Sequence, residues 1–154
     1  MKLNLKEAFF GKVFSKVPFE KANSYEFLKS IKMEKLHQCN KLLQNNKYLV
    51  YDFDDVHMTG LHWAAKMNNI RMCQLLLSHG ADIASLDLIG RTPLYHAATN
   101  GNVQSVQLLL YHKADPWNSS VMNYDAIIPN AKDPNYANLV KIHGLIIEYR
   151  KVII

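Results

Sequence analysis

Cysteine is scarce: Cys39 and Cys73 are the only two among 154 residues. Neither has another cysteine at zinc-ligand spacing, and the pair is read as free thiols, which fits a reducing compartment. The chain also lacks a His-Glu-x-x-His helix, a glycine-rich phosphate loop and a serine held in a nucleophile elbow. No apolar run reaches the length of a signal peptide or a membrane span, and Met1-Lys2 excludes N-myristoylation. Arginine is absent from residues 1–50, which carry ten lysines against four glutamates, while residues 51–154 hold eight basic and nine acidic groups. Those lysines are spaced among apolar residues and form no run, which describes a solvated helix face better than a nucleic-acid patch. Together these absences predict no catalytic residue, no cofactor, no bound metal and no small-molecule substrate. They also predict cytoplasmic or nuclear residence.

What is present is an ordinary soluble balance, with 49% apolar and 20% charged residues, in a length that allows one domain with a real core. Two stretches 33 residues apart dominate it. Asp87-Leu-Ile-Gly-Arg-Thr-Pro-Leu-Tyr-His-Ala-Ala98 lies over Asp54-Asp-Val-His-Met-Thr-Gly-Leu-His-Trp-Ala-Ala65, and the match continues: Asn68 on Gly101, Cys73 on Val106, Leu75-Leu76-Leu77 on Leu108-Leu109-Leu110, Ala81-Asp82 on Ala114-Asp115. Cys73, standing on a core valine, should behave as a small buried hydrophobe.

Each unit reads as a helix pair. Thr92 can cap free amides and Pro93 fits a first turn, where no amide donor is needed. Leu94, Ala97 and Ala98 make a small apolar face that lets a second helix approach closely. Gly101-Asn102 breaks the first helix, and Val103, Val106, Leu109 and Leu110 recur at helical spacing along the second. Gly80 suits the left-handed residue that ends helices. Lys113 at the matching place is a local cost. One such pair cannot bury its own apolar face, so neighbours must stack.

A period of 33 with a Thr-Pro-Leu-Tyr-His-Ala core resembles the ankyrin repeat. The resemblance implies an all-α, ankyrin-type solenoid of stacked helix-turn-helix units with projecting hairpin loops. It covers two full repeats, 54–86 and 87–119. Residues 21–53 keep the period without the motif and are read as a degenerate repeat, with Ser24, Phe27, Leu28 and Ile31 on a first helix and Leu36, Cys39 or Asn40, and Leu43 on a second. Tyr48-Leu-Val-Tyr51 is more β-like than a turn. Residues 1–20 are expected to form an N-terminal cap helix ended by Pro18, with Leu5, Phe9 and Val13 on one face.

Residues 120–154 read as a degenerate capping repeat, irregular around Pro129 and helical from about Asn135, with Leu139, Ile142, Ile146 and Tyr149 as its stripe. Leu145, Val152 and Ile154 widen that stripe beyond what one neighbour covers. Either further structure follows, or the chain self-associates through this C-terminal helix.

The seven histidines are scattered through the repeats, and His62, at the position of the motif histidine, is implied by the resemblance to be a structural strut. Asp54 and Asp87 match at the start of each repeat, which is a turn role. Function is therefore expected on the surface. In ankyrin-like stacks the loop tips and first helices line a concave face. The positions that map there are Phe53, Val56, Met58, Trp63, Lys66 and Met67 in one repeat, Leu86, Leu88, Ile89, Arg91 and His96 in the next, and Val121, Met122 and Tyr124 in the last. Most are apolar, and Trp, Tyr, Met and Arg are residue types that carry binding energy. The expectation is non-enzymatic recognition of a partner protein, with Trp63 as an anchor. Two alternatives stand beside it: a regulatory or targeting domain of a longer chain of kinase or channel type, and nucleic-acid binding through the lysine-rich N-terminal third.

Overall fold

The computed structural model describes residues 17–118 and 132–153; the side chains of 17–22, 150 and 153 are outside that description. Seven helices follow one another among the described residues: α1 Val17–Lys32, α2 Leu36–Asn45, α3 Gly60–Lys66, α4 Ile70–Ser78, α5 Pro93–Thr99, α6 Val103–Tyr111 and α7 Tyr136–Ile153. A 3-10 turn, Lys47–Tyr51, leads from α2 into the first hairpin. The only strand-like pairing described is an isolated bridge between Phe53 and Thr59.

The helices stack in two layers. The first helices of successive units, α1, α3 and α5, pack side by side; the second helices α2, α4 and α6 form the other layer, and α7 closes the end against α5 and α6. The core lies between the layers and runs without a break. Phe27 and Ile31 meet Cys39 and Leu43, then Leu61, Ala64 and Ala65 meet Met72, Cys73 and Leu76, and Leu94, Ala97 and Ala98 meet Val106 and Leu109. The alanine pairs are fully buried. They are what lets two short helices approach without a wide gap. Gly60 stands where Pro93 stands one period later, and the space explains it: a Cβ there would come within 2.6 Å of Ile31 Cδ1.

Repetition reaches the backbone. Non-glycine residues with positive φ occur at His57, Asn68 and Lys113, and glycines occupy the matched positions Gly90, Gly101 and Gly80. The chain reversal demands the left-handed conformation at each place, whichever residue supplies it. Lys113, at φ 68°, takes the local cost read from the sequence. Polar side chains stitch adjacent units: Asn102 Nδ2 donates to the carbonyls of Ala65 (3.0 Å) and Lys66 (2.7 Å), and the Ser105 amide and hydroxyl donate to Asn68 Oδ1.

Pro18 lies within α1, Val17–Lys32, and the cap helix expected to end at it falls on residues outside the description. One local expectation is corrected. Tyr48–Tyr51 is a 3-10 turn and not β-like: Leu49 and Val50 are buried side by side, which alternation along a strand would forbid, and Asn46 Oδ1 accepts the Tyr48 amide. The proposed cap helix up to residue 16, the irregular stretch around Pro129 and Ile154 lie outside the described residues.

Candidate partner-binding surface

Each of the two described hairpins between units is built on one aspartate. Asp54 Oδ1 accepts the amides of Val56 (3.2 Å) and Met58 (3.0 Å), and its own amide donates to the Met58 carbonyl. One period later Asp87 Oδ1 accepts the amides of Ile89 (3.1 Å) and Arg91 (2.9 Å), and its amide donates to the Arg91 carbonyl. The second carboxylate oxygen reaches the first helix of the same unit. Asp54 Oδ2 accepts from the Trp63 indole N–H at 2.8 Å and the Lys32 ammonium at 3.2 Å. Asp87 Oδ2 lies 2.7 Å from Arg91 Nε and 2.9 Å from His96 Nε2. Trp63 and His96, both nine residues beyond their aspartate, thus fasten the finger to the helix.

His62 links the two units. Its Nδ1 accepts the Thr59 amide at 3.1 Å, completing a reciprocal cap on α3, so Nε2 carries the ring proton and donates to the Arg91 carbonyl at 2.9 Å. Between the fingers themselves, the Leu88 amide donates to the Val56 carbonyl at 3.0 Å. The tips therefore stand as one row. Phe53, Val56, Leu86, Leu88 and Ile89 are exposed on it, Leu88 at 62% and Ile89 at 57%.

A model of ankyrin repeats, three copies, matches residues 23–120. The chain belongs to the ankyrin-repeat family. Repeats of this kind are generally protein-recognition modules and typically carry no catalysis, their stacked units presenting an extended surface. The chain is also 44% identical over 43 residues to a palmitoyltransferase, AKR1, of Gibberella zeae, a stretch that is 28% of this chain and 6% of that protein's length.

The ankyrin fold sorts the sequence-predicted site residues into three groups. The finger tips Phe53, Val56, Leu86, Leu88 and Ile89, with Lys66 on α3, are exposed as expected; Met67 and Arg91 are half-buried. Met58 and His96 are not surface residues: both are buried, Met58 because the hairpin returns there into the stack and His96 because its imidazole is fastened to Asp87. Trp63 is half-buried and holds Asp54, so it belongs to the finger's anchorage as well as to the wall. Val121, Met122 and Tyr124 lie outside the described residues. Sequence reasoning missed Tyr25, Lys29 and Lys32 of α1, which with Phe53, Asp54 and Asp55 line a cavity of about 580 Å³ beside the first finger. Their spacing on one helix face was the available signal.

The electrostatics are those of a folded scaffold. Burial alone would raise the Asp87 carboxyl, but hydrogen bonds from Arg91, His96 and Ile89 hold it well below the usual carboxylate range. Burial pushes the His62 imidazole down to about 4, against the pull of the Arg91 carbonyl, and lowers His96 too, despite its bond to Asp87. Burial raises the Cys39 and Cys73 thiols to about 11 and 12, so neither is a ready nucleophile. No group of His, Cys, Asp and Glu among the described residues could hold a metal ion, and no described helix is long and apolar enough to cross a membrane.

A pH dependence follows. An unfolded imidazole takes up its proton near 6.5, whereas folded His62 resists until about 4, so the unfolded state binds more protons between those values. Stability should be full above pH 6.5 and fall as the pH drops through that window, by about 3 kcal/mol from His62, with His96 adding in the same direction. Urea melts at half-unit steps from pH 7.5 to 4 check this. A midpoint that stays level in wild type, or the same slope in His62→Gln with His96→Gln, would contradict it.

Proposed function

We propose that the chain recognises a partner protein through the groove formed by the finger tips and the first-helix layer. The observation that carries this reading is the row of exposed apolar tips, held together across two fingers by the bond between Val56 and Leu88. Isolated exposed apolar residues are unremarkable, but a row at matched positions makes a continuous patch whose cover is another molecule. Cytoplasmic or nuclear residence goes with the reading. The test is a double substitution, Leu88→Asp with Ile89→Asp, which changes no buried group. It should lower affinity for captured partners by at least about tenfold while leaving the melting temperature in place. Tyr111→Asp, exposed on the opposite layer, should leave binding unchanged. Equal loss in both variants, or none in either, would remove the groove from consideration. Trp63 is a poor first target, because its loss also frees Asp54.

A second surface supports self-association. The stripe of Leu139, Ile142 and Ile146 is buried against α5 and α6, and Leu145 and Tyr149 pack at its edge. Tyr136, Val140, Ile147 and Val152 remain exposed on α7, Val152 at 85%. A second copy would cover these groups. Sedimentation of the chain at high concentration should show a dimer or larger species, and Val140→Lys with Val152→Lys should restore the monomer. A wild-type chain that stays monomeric throughout would refute it.

A further inference from the structure

The exposed side of α7 is complementary to itself: we propose that two copies of the chain pair there across a two-fold axis, helix against helix in opposite directions, crossing at Gly144. This rests on the self-association reading and adds the direction and register of the pair.

Successive residues of a helix turn by about 100°, so Tyr136, Val140, Gly144, Ile147 and Lys151 run along one side of α7. Lys141 and Glu148 run along the flank beside them. All of these are exposed, whereas Leu139, Ile142 and Ile146 on the far side are buried in the stack. Gly144 stands in the middle of the helix, and a Cβ there would meet nothing within 4 Å. Glycine weakens a helix interior, and among the described residues no contact within the chain requires it here. What it permits on an exposed side is the close approach of another backbone. Lys141 and Glu148 are two turns apart, and among the described residues neither has an ion-pair partner.

Charge decides the direction. In a parallel pair Lys141 would face Lys141 of the second copy, and Glu148 its own counterpart, like charge against like. In an antiparallel pair residues of the same flank meet. Lys141 lies just before Gly144 and Glu148 just after it, so reversal about Gly144 brings Lys141 of one copy to within about 1.5 Å, along the axis, of the level of Glu148 of the other. Two-fold symmetry makes that ion pair twice. Val140 and Ile147 flank Gly144 in the same way and cover each other across the axis, while Tyr136 meets Lys151, a ring against an ammonium. Helix axes about 8 Å apart, the close end of the usual range, suit a crossing made at glycine. None of these residues belongs to the finger tips. The pair therefore carries two rows of tips and can hold a partner with repeated sites at both.

The test is sedimentation equilibrium of the full chain and its variants in about 0.05 M salt, where exposed ion pairs are least screened. The wild type should form a dimer. Lys141→Glu and Glu148→Lys should each raise its Kd about tenfold, because each variant sets like charges together twice. An equimolar mixture of the two, and the double variant Lys141→Glu with Glu148→Lys, should both recover the wild-type Kd. Gly144→Gln, a better helix former with a bulky side chain, should melt no lower than the wild type yet raise Kd at least about tenfold. Single reversals without effect, a mixture that fails to recover, or a Gly144→Gln chain that dimerises as before would each overturn the antiparallel crossing. So would a wild type that grows past the dimer. If Val140→Lys with Val152→Lys still yields the monomer in such a case, the self-association reading stands without this geometry. A wild type that stays monomeric throughout overturns both.

Discussion

Leu94→Ala should destabilise the whole stack by about 2–5 kcal/mol, the range for a large-to-small change at a fully buried site. Leu94 follows Pro93 in the first turn of α5 and lies in the one continuous core, among side chains from both layers. Helices of seven and nine residues are too short to stand alone, so the repeats owe their stability to these shared contacts. The cavity left by the leucine would be bounded by short helices, α5 being capped at its start by Thr92, which limits how far they can collapse into it. The loss should therefore appear as a lower midpoint of the main unfolding transition and not as local fraying. Calorimetry of wild type and variant decides it. A variant that melts with the parent would mean that α5 is not packed as described.

Asp87→Ala should come next, at about 2–4 kcal/mol. Its carboxylate is almost fully enclosed and serves four donors: the Ile89 and Arg91 amides, Arg91 Nε and His96 Nε2. Truncation leaves His96 buried without its partner and releases the hairpin that carries Leu88 and Ile89. Asp54→Ala should cost less. Its side chain is 18% exposed, and water can reach the Lys32 ammonium it leaves behind. The two variants should also differ in place: hydrogen exchange at the Ile89 and Arg91 amides should accelerate in the first, and at Val56 and Met58 in the second. Equal and small losses in both would show that the fingers do not depend on their aspartates. Because finger order and binding are linked here, Asp87→Ala should also weaken partner capture, whereas Leu94→Ala should do so only as the stack unfolds.

The ankyrin architecture was legible along the chain because its determinants are local. A 33-residue period, a threonine before α3 and α5, glycine or asparagine at several of the reversals and apolar residues at helical spacing each act within a few residues of themselves. They lead to α3 through α6 almost residue by residue, and to the buried stripe Leu139, Ile142 and Ile146 of α7. Even the degenerate unit was readable from Phe27, Ile31, Cys39 and Leu43.

Tertiary structure decided the surface. Met58 shares register with half-buried Arg91, and Trp63 with His96; a hairpin reversal carries Met58 inward and brings the residue nine places beyond each aspartate back onto it. Two such pairs, Asp54 with Trp63 and Asp87 with His96, were visible in the repeat as a donor at a fixed distance from an acid. Nothing in a linear pattern says that the interval closes a loop. Likewise Lys32, read as a solvated charge, and Lys66, read as a concave-face residue, belong to different units; stacking brings both over one indole ring. Periodicity determines which residues form each unit and which of its faces is apolar. Which side chains converge between units depends on how the units stack, and that geometry is set by contacts between residues some thirty positions apart.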